Sequence, residues 1–180
     1  MAGRQHALAL IVRLSVAASV AAGGAACTKA DHTGARLELA AATLVVEQAD
    51  GTRHVFALAA TGEVTFDGER LITLQPNGHI VIDGKPAARV ERDGTISARS
   101  VRTNAMVHDD GAFLLGGEPE LTLGADGVAS GPLLTTMDHP RLALEGARVR
   151  YQGPPGARRA VMVGFAAFVT GLPAAVADRP

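Results

Sequence analysis

Apolar residues alternate with polar ones in short runs along most of the chain. The pairs Val64/Phe66, Ile72/Leu74 and Leu121/Leu123 each lie two residues apart, with a threonine between the two members. A period of two places both members of a pair on the same face of a β-strand. The pattern therefore predicts many short strands, each with one apolar face.

The alternating runs belong to an internal repeat of about sixteen residues. Glycines recur at Gly62, Gly78, Gly94, Gly111 and Gly127, with spacings of 16, 16, 17 and 16 residues. Most units contain a strand, a turn, a second strand, and an Asp or Asn before the next glycine. The third unit departs from this pattern, because Arg99-Ser100 replaces the internal Asp-Gly and one residue is added.

The turns of this repeat are marked by dipeptides that favour hairpins. Glycine adopts positive φ without steric cost, and Asp or Asn tolerates the left-handed region. Each unit is therefore predicted to be two antiparallel strands with a turn at each end. The dipeptides are Asp67-Gly68, Asn77-Gly78, Asp83-Gly84, Asp93-Gly94, Asp110-Gly111 and Asp126-Gly127.

Strand patterns outside the repeat raise the predicted total to about twelve or thirteen strands. They cover Thr43–Glu47, Arg53–Leu58, Arg141–Glu145 and Arg148–Gln152. Closing such a row of strands buries one face and hides both edges. We predict an all-β fold, a closed antiparallel barrel or rosette of about twelve short strands. A β-solenoid, a sandwich and a propeller are the alternatives, although tight Asp-Gly turns favour hairpins over parallel solenoid rungs.

The composition changes abruptly after Gly153-Pro154-Pro155-Gly156. Arg158-Arg159 is followed by an uncharged apolar run from Ala160 to Leu172, which is too long for a typical strand and is predicted to be a helix ending near Gly171 and Pro173. This run is apolar on all sides, so we expect it to be packed inside the barrel. A membrane-spanning helix and a helix lying in a lipid surface are the alternatives, but thirteen residues span only about 20 Å.

That interior helix is expected because the inward side chains of the strands are mostly small or of medium size. A ring of about twelve strands leaves a lumen that such side chains cannot fill. Helix residues Ala160, Gly164, Ala166 and Ala167 would permit close approach, while Phe165 and Phe168 would occupy wider gaps. The strand residues predicted to point inward include Val64, Ala88, Val90, Ile96, Leu123 and Ala143.

The N-terminal segment has the order of a secretory signal. Basic residues Arg4 and Arg13 precede an uncharged stretch of 13 residues, Leu14–Ala26, which ends in small residues before Cys27. A transmembrane helix needs about 20 residues. The sequence Gly24-Ala25-Ala26-Cys27 resembles the lipobox of bacterial lipoproteins, except that Gly24 replaces the usual branched apolar residue. That resemblance implies cleavage before Cys27 and acylation of its thiol.

An ordinary secretory cleavage site within Ala21–Ala25 is the alternative. With cleavage before Cys27, the chain is organised as a signal peptide (1–26), a polar tether (27–36) and a β-hairpin-repeat domain with the C-terminal helix (37–180). Loss of Arg4 and Arg13 leaves 15 basic and 18 acidic residues, a net charge of −3. This balance argues against a nucleic-acid partner. Cys27 is the sole cysteine, so the domain has no internal disulfide.

Few residues suggest chemistry. No histidine of 27–180 stands three or four residues from another, as in a helical metal-binding pair, and no nucleophile or phosphate-loop motif is present. We expect no catalytic residue, no metal and no cofactor. His108-Asp109-Asp110 is interpreted as a solvated turn, and Met137–Pro140 is interpreted as a loop. An enzyme would instead gather two or more candidates in one concave site. Those candidates are His108, Asp109, Glu118, Glu120, Asp138 and His139.

In the order and pattern of its elements, the region Leu37–Leu172 resembles the C-terminal domain of tubby and its relatives, the phospholipid scramblases and LURP-one-related proteins. The Asp-Gly hairpin repeat is also similar to the bacterial β-flower proteins. The resemblance implies a membrane-associated, non-enzymatic barrel. We therefore expect a lipid-anchored protein of the bacterial cell envelope, held at membrane lipid through acylated Cys27. It would act as a binding or structural module, with a lipid-handling protein or an enzyme as the alternative.

Overall fold

The computed structural model describes residues 34–98, 101–136 and 138–172. Two helices are present, α1 (Leu133–Thr136) and α2 (Arg158–Val169), with a 3-10 turn at Pro155–Ala157 before α2. The strands are β1 (Ala42–Glu47), β2 (Arg53–Leu58), β3 (Glu63–Phe66), β4 (Glu69–Leu74), β5 (His79–Ile82), β6 (Lys85–Val90), β7 (Thr95–Ala98), β8 (Val101–Val107), β9 (Phe113–Leu115), β10 (Glu118–Leu123), β11 (Ala129–Ser130), β12 (Asp138–His139), β13 (Leu142–Ala143) and β14 (Arg148–Gln152).

Twelve of these strands form one antiparallel sheet. Strands β1 to β11 follow one another as consecutive hairpins, and β14 pairs with the outer edge of β1. The two ends of the sheet meet where Val128 bridges Arg150 and the Tyr151 N–H donates to the Gly127 carbonyl oxygen at 2.7 Å. The sheet is therefore a nearly closed barrel, and the fold class predicted from the sequence is confirmed.

The turns at one end of the barrel share one geometry. In each, the glycine N–H donates to the carbonyl oxygen three residues earlier, as Gly78 does to Gln75 at 2.9 Å, and the glycine has positive φ. We call this the bulge end, because the extra residue in each turn is a β-bulge. Its five turns are 59–62, 75–78, 91–94, 108–111 and 124–127.

The opposite end, which we call the open end, carries mostly two-residue turns. Asp67-Gly68 and Asp83-Gly84 connect their strands directly, and both aspartates have φ of 50°. A Cβ on any glycine of the open-end hairpin turns, such as Gly51 or Gly68, would meet no atom within 4 Å. At the bulge end the same atom on Gly62 would lie 2.0 Å from the Leu74 carbonyl oxygen. The turn glycines are thus closely approached by neighbouring backbone at the bulge end, whereas those of the open-end hairpins have open space around them.

Helix α2 fills the barrel, as the sequence predicts. Every residue from Arg159 to Val169 is buried, although the helix begins two residues earlier and ends three residues earlier than the apolar run. The Phe165 ring packs edge-on against Phe56 with 5.3 Å between centroids, and Gly164 lies so close to Val64 that a Cβ there would be 2.6 Å from its Cγ1. Among the described residues, no helix has the length and apolar character needed to cross a membrane.

Two details of the predicted barrel are wrong. The run Arg141–Glu145 is not a barrel strand, because β13 pairs only with β12 in a separate two-stranded ribbon. Ala143 consequently points to solvent rather than inward, and Leu123 is only half-buried. The turn predicted at Gly146 is present, with positive φ at the glycine. The strand before it was assigned to the wrong partner, because a short strand can pair with a local neighbour as well as with the barrel.

The ribbon and the residues around it cover the open end. Arg141 pairs with Glu69 at 2.5 Å, and its guanidinium lies 5.3 Å from the centroid of the Phe66 ring. Leu142 and Leu144 are fully buried beneath this cover. Residues 131–136 and 138–147 thus lie between β11 and β14 in the chain and cover the open end beside Glu69 and Phe66.

The described chain begins at the bulge end. Gly34 bridges Glu91, the Ala35 N–H donates to Val90 at 2.8 Å, and the Leu37 N–H donates to Pro76 at 2.9 Å. Residues 34–36, which the sequence assigns to the tether, therefore lie against the turns of the barrel. The first described residues therefore lie at the same end of the barrel as the start of α2.

Candidate functional site

The structure does not gather the six candidate polar residues into one site. His108 and Asp109 lie together in a bulge-end turn, whereas Glu118 begins β10 next to an open-end turn. Glu120 follows on the same strand. Asp138 and His139 form β12, which belongs to the cover of the open end. Cys27, the predicted lipidation site, lies outside the described residues.

His108 and Asp109 line a shallow groove at the bulge end. The groove has a volume of about 450 Å³ and contains side chains of both charges. We call it the charged groove. Its residues are Arg92, Asp93, His108, Asp109, Asp110 and Arg159.

The groove is built by two adjacent bulge-end turns. In each turn the aspartate before the glycine folds back on the backbone. Asp93 accepts the Thr95 N–H at 3.0 Å, and Asp110 accepts the Ala112 N–H at 2.9 Å. Such a bond fixes the aspartate in the turn. The residue that precedes it, Arg92 in one turn and Asp109 in the other, is exposed.

The floor of the groove is Arg159, in the first turn of α2. Its side chain is only 9% exposed, yet its ion-pair partner Asp109 is 89% exposed. The pair joins Arg159 Nη1 to Asp109 Oδ1, while Arg159 Nε is buried without a hydrogen-bond partner. Burying a charge costs several kcal/mol unless it is paired and hydrogen-bonded. A core helix would avoid this arginine on packing grounds alone, so its position calls for an explanation.

The start of α2 concentrates positive charge. Its first turn contains Arg158 and Arg159 but no acidic residue, and no side chain caps its N-terminus. Arg158 donates to the Ala125 carbonyl oxygen at 3.1 Å, and its guanidinium lies 5.5 Å from the Tyr151 ring centroid. Arginines at a helix N-terminus oppose the helix dipole. The Glu38 carboxylate lies against Gly156 and offsets part of this charge.

Tyr151 lies beside Arg158 at the bulge end. Its hydroxyl donates to the Pro154 carbonyl oxygen at 2.5 Å. Burial raises the pKa of the phenol, and the nearby Glu38 carboxylate acts in the same direction, while Arg158 opposes them. The phenol is thus a neutral hydrogen-bond donor, which suits a structural role better than that of a base.

Asp93 is held in the groove by an ion pair as well as by its turn. Besides the Thr95 N–H, it accepts a hydrogen bond from Arg102 Nη2, which also donates to the Thr95 hydroxyl at 2.6 Å. The Thr95 N–H is the main cause that lowers the pKa of Asp93 below its ordinary value of 3.8, and Arg102 adds to it against a smaller effect of burial. The carboxylate is therefore charged at neutral pH.

Replacing Asp93 by asparagine is expected to lower the free energy of unfolding at pH 7 by about 0.5–1 kcal/mol, the range of an exposed ion pair. Because folding lowers this pKa, the contribution is complete above pH 3.8 and disappears as the pH falls through the lower folded-state value. Wild type and Asp93→Asn should thus converge in urea unfolding at acid pH. Asp126→Asn is the control, since Asp126 makes the same turn bond to Val128 without a recorded arginine partner among the described residues. An equal loss in both variants would assign the effect to the turn alone.

An acid–histidine pair lies near the open end. His54 Nδ1 is 2.6 Å from Asp67 Oδ2, and the His54 ring stacks on Phe66 with 5.4 Å between centroids. Burial acts to raise the pKa of Asp67, but hydrogen bonds from His54 and the Val55 N–H, with the charges of His54 and Arg141, outweigh it and lower the pKa. The pair joins β2 to the turn between β3 and β4 and fits a structural contact between strand and turn.

Sequence reasoning missed half of the charged groove. Arg92, Asp93 and Arg159 were not identified as candidates, because the residues of two turns and of a helix meet only through the topology. One signal was available: Arg158-Arg159 directly precedes an otherwise uncharged core helix. The described residues contain no group of three or more His, Cys, Asp or Glu side chains that could hold a metal ion.

No protein-family model matches the chain, and no curated protein or solved structure matches it either. The interpretation of the site therefore rests on its own geometry.

Proposed function

We propose that the protein is a lipid-anchored protein of the bacterial cell envelope whose barrel acts as a non-catalytic binding or structural module near a membrane. The observation that carries this proposal is the position of Gly34 at the bulge end, where it bridges Glu91. Only six residues lie between it and Cys27, and the seven steps from Cα to Cα reach at most about 25 Å when the chain is extended. An acyl anchor on Cys27 would hold the bulge end close to the lipid surface.

The filled interior supports a module that acts through its surface. The largest side chains of the core, including Phe56, Phe66 and Phe165, are fully buried around α2. A substrate would therefore have to bind on the outside or at the ends of the barrel. The charged groove at the bulge end is one concave polar surface of this kind, and its aspartates take part in turns and ion pairs.

The alternative function is lipid handling, which one observation favours. A shallow apolar depression of about 500 Å³ lies near the bulge end on the outer faces of β1, β2 and β3, with Ala41, Ala57 and Ala59 among its residues. An acyl chain could rest there only as a surface ligand, because the helix occupies the interior. We therefore place this alternative second.

Acylation is tested by replacing Cys27 with serine in the full-length chain expressed in a bacterium. Wild type is expected to incorporate radioactive palmitate and to sediment with membranes, whereas Cys27→Ser should lose the label and move to the soluble fraction. Thr28→Ser, which alters the neighbouring position by one methyl group, is the control and should behave as wild type. Identical labelling and partitioning of wild type and Cys27→Ser would refute the lipid anchor and favour ordinary secretion.

A further inference from the structure

The charged groove has hydrogen-bond donors to spare. Within the described residues, no hydrogen bond or ion pair engages the Arg92 guanidinium, and Arg159 Nε has no partner. The carboxylate oxygens of the groove, by contrast, mostly accept hydrogen bonds already. Asp93 is bound by Arg102 and Thr95, Asp109 by Arg159, and Asp110 by the Ala112 N–H through one of its oxygens. The unmet capacity of the groove is therefore mainly for an anionic group.

Asp109 contacts Arg159 in a way that an external carboxylate could replace. Arg159 is fixed in the core helix, while Asp109 is almost fully exposed on a turn and supplies one oxygen. The Asp109 carboxylate is already solvated, and an incoming carboxylate would pair the buried Arg159 again, so exchanging one for the other costs little. A guanidinium binds a carboxylate best through two parallel hydrogen bonds. An external carboxylate between Arg92 and Arg159 would satisfy more donors than Asp109 does.

We infer that the charged groove binds the carboxylate of a small zwitterionic ligand, such as the C-terminus of a short peptide, by displacing Asp109 from Arg159. Asp93, Asp109 and Asp110 would repel a phosphate more strongly than a carboxylate, because a phosphate carries more than one negative charge at pH 7. The second oxygen of Asp110 could in turn accept a hydrogen bond from an ammonium group. A volume of about 450 Å³ is sufficient for a dipeptide.

This inference goes beyond the proposed function and does not depend on acylation of Cys27. It is tested by titrating the full-length protein, purified in mild detergent, with alanyl-alanine, with its C-terminal amide and with inorganic phosphate, while following the arginine side-chain signals by NMR. We expect alanyl-alanine to bind and to shift the Arg159 Nε signal. The amide should bind at least about tenfold more weakly, since it lacks the charged group that the arginines recognise.

Two variants separate a binding site from a structural ion pair. Asp109→Asn removes the internal competitor and is expected to raise the affinity for alanyl-alanine several-fold. Arg92→Ala changes an exposed residue, so folding should be retained while affinity falls about tenfold. Arg148→Ala, an exposed arginine on β14 outside the groove, is the matched control and should bind as wild type.

The possible results are decisive. Equal binding of the dipeptide and its amide, tighter binding of phosphate, or no binding at 10 mM, roughly the concentration at which a millimolar site saturates, would each overturn the inference. So would an Asp109→Asn variant that is less stable but binds the dipeptide with unchanged affinity, because the ion pair would then be purely structural. None of these outcomes depends on where the protein resides in the cell.

Discussion

Replacing Phe165 by aspartate is expected to lower the unfolding temperature of the full-length protein by more than about 10 °C, or to prevent folding. Phe165 is fully buried in α2, inside the barrel, with its ring against Phe56. A carboxylate there would be unpaired and would cost several kcal/mol, a large part of the 5–15 kcal/mol that stabilises a typical domain. Each kcal/mol corresponds to about 2–4 °C in a chain of this size. Thermal unfolding followed by circular dichroism measures the effect.

Two controls distinguish charge burial from a general loss of packing. Phe165→Leu removes volume without adding charge and should cost only about 1–2 kcal/mol. Val128→Asp introduces the same charge at a residue that is 40% exposed and should change stability little. If Phe165→Asp unfolded at the wild-type temperature, α2 would not be the core of the barrel. Deleting residues 157–180 should be at least as harmful as Phe165→Asp.

Replacing Gly62 by alanine is expected to lower the free energy of unfolding by more than about 3 kcal/mol, from two separate costs. Its φ of +88° is strained for any residue with a side chain, which costs about 1–2 kcal/mol. In addition, the new Cβ would lie 2.0 Å from the Leu74 carbonyl oxygen, so the backbone of β4 would have to move. That movement would weaken the bond of 2.8 Å from the Leu74 N–H to the Gly62 carbonyl oxygen. Urea unfolding of the full-length chain gives the magnitude.

Gly51 provides the matched control for Gly62. It occupies the same position of a similar turn with φ of +86°, but a Cβ there would meet nothing within 4 Å. Gly51→Ala should therefore show the conformational cost alone, about 1–2 kcal/mol. The difference between the two variants measures the close approach of neighbouring turns at the bulge end. Equal losses would mean that this approach does not contribute.

Most of the fold could be predicted because its signals are local. Period-two pairs such as Val64/Phe66 and turn dipeptides such as Asp83-Gly84 fix strands and hairpins within a few residues. The apolar run from Ala160 indicated an interior helix because nothing else in the chain could fill so wide a ring. Each of these inferences needs only neighbouring residues and the geometry of a sheet.

The remaining features depend on contacts between distant residues. The run Arg141–Glu145, which contains β13, was mistaken for a barrel strand because its alternation looks the same over two or three residues, and β12 was interpreted as part of a loop. The pairing of Asp109 with Arg159 joins positions fifty residues apart, and only the entry of α2 beneath that turn brings them together. The lipidation of Cys27 concerns residues outside the described structure and stays a prediction.

The interior position of α2 also determines when the fold can be completed. Among the described residues, β14 and α2 are the last elements along the chain, and β14 pairs with β1, so that Leu44 meets Tyr151 about a hundred residues later. Until these last elements have been synthesised, the hairpins before them have no core to cover and no partner for the first strand. Folding therefore ends with a long-range closure, which is intrinsically slow. A partly synthesised chain exposes apolar strand faces and relies on rapid completion or on chaperones to avoid aggregation.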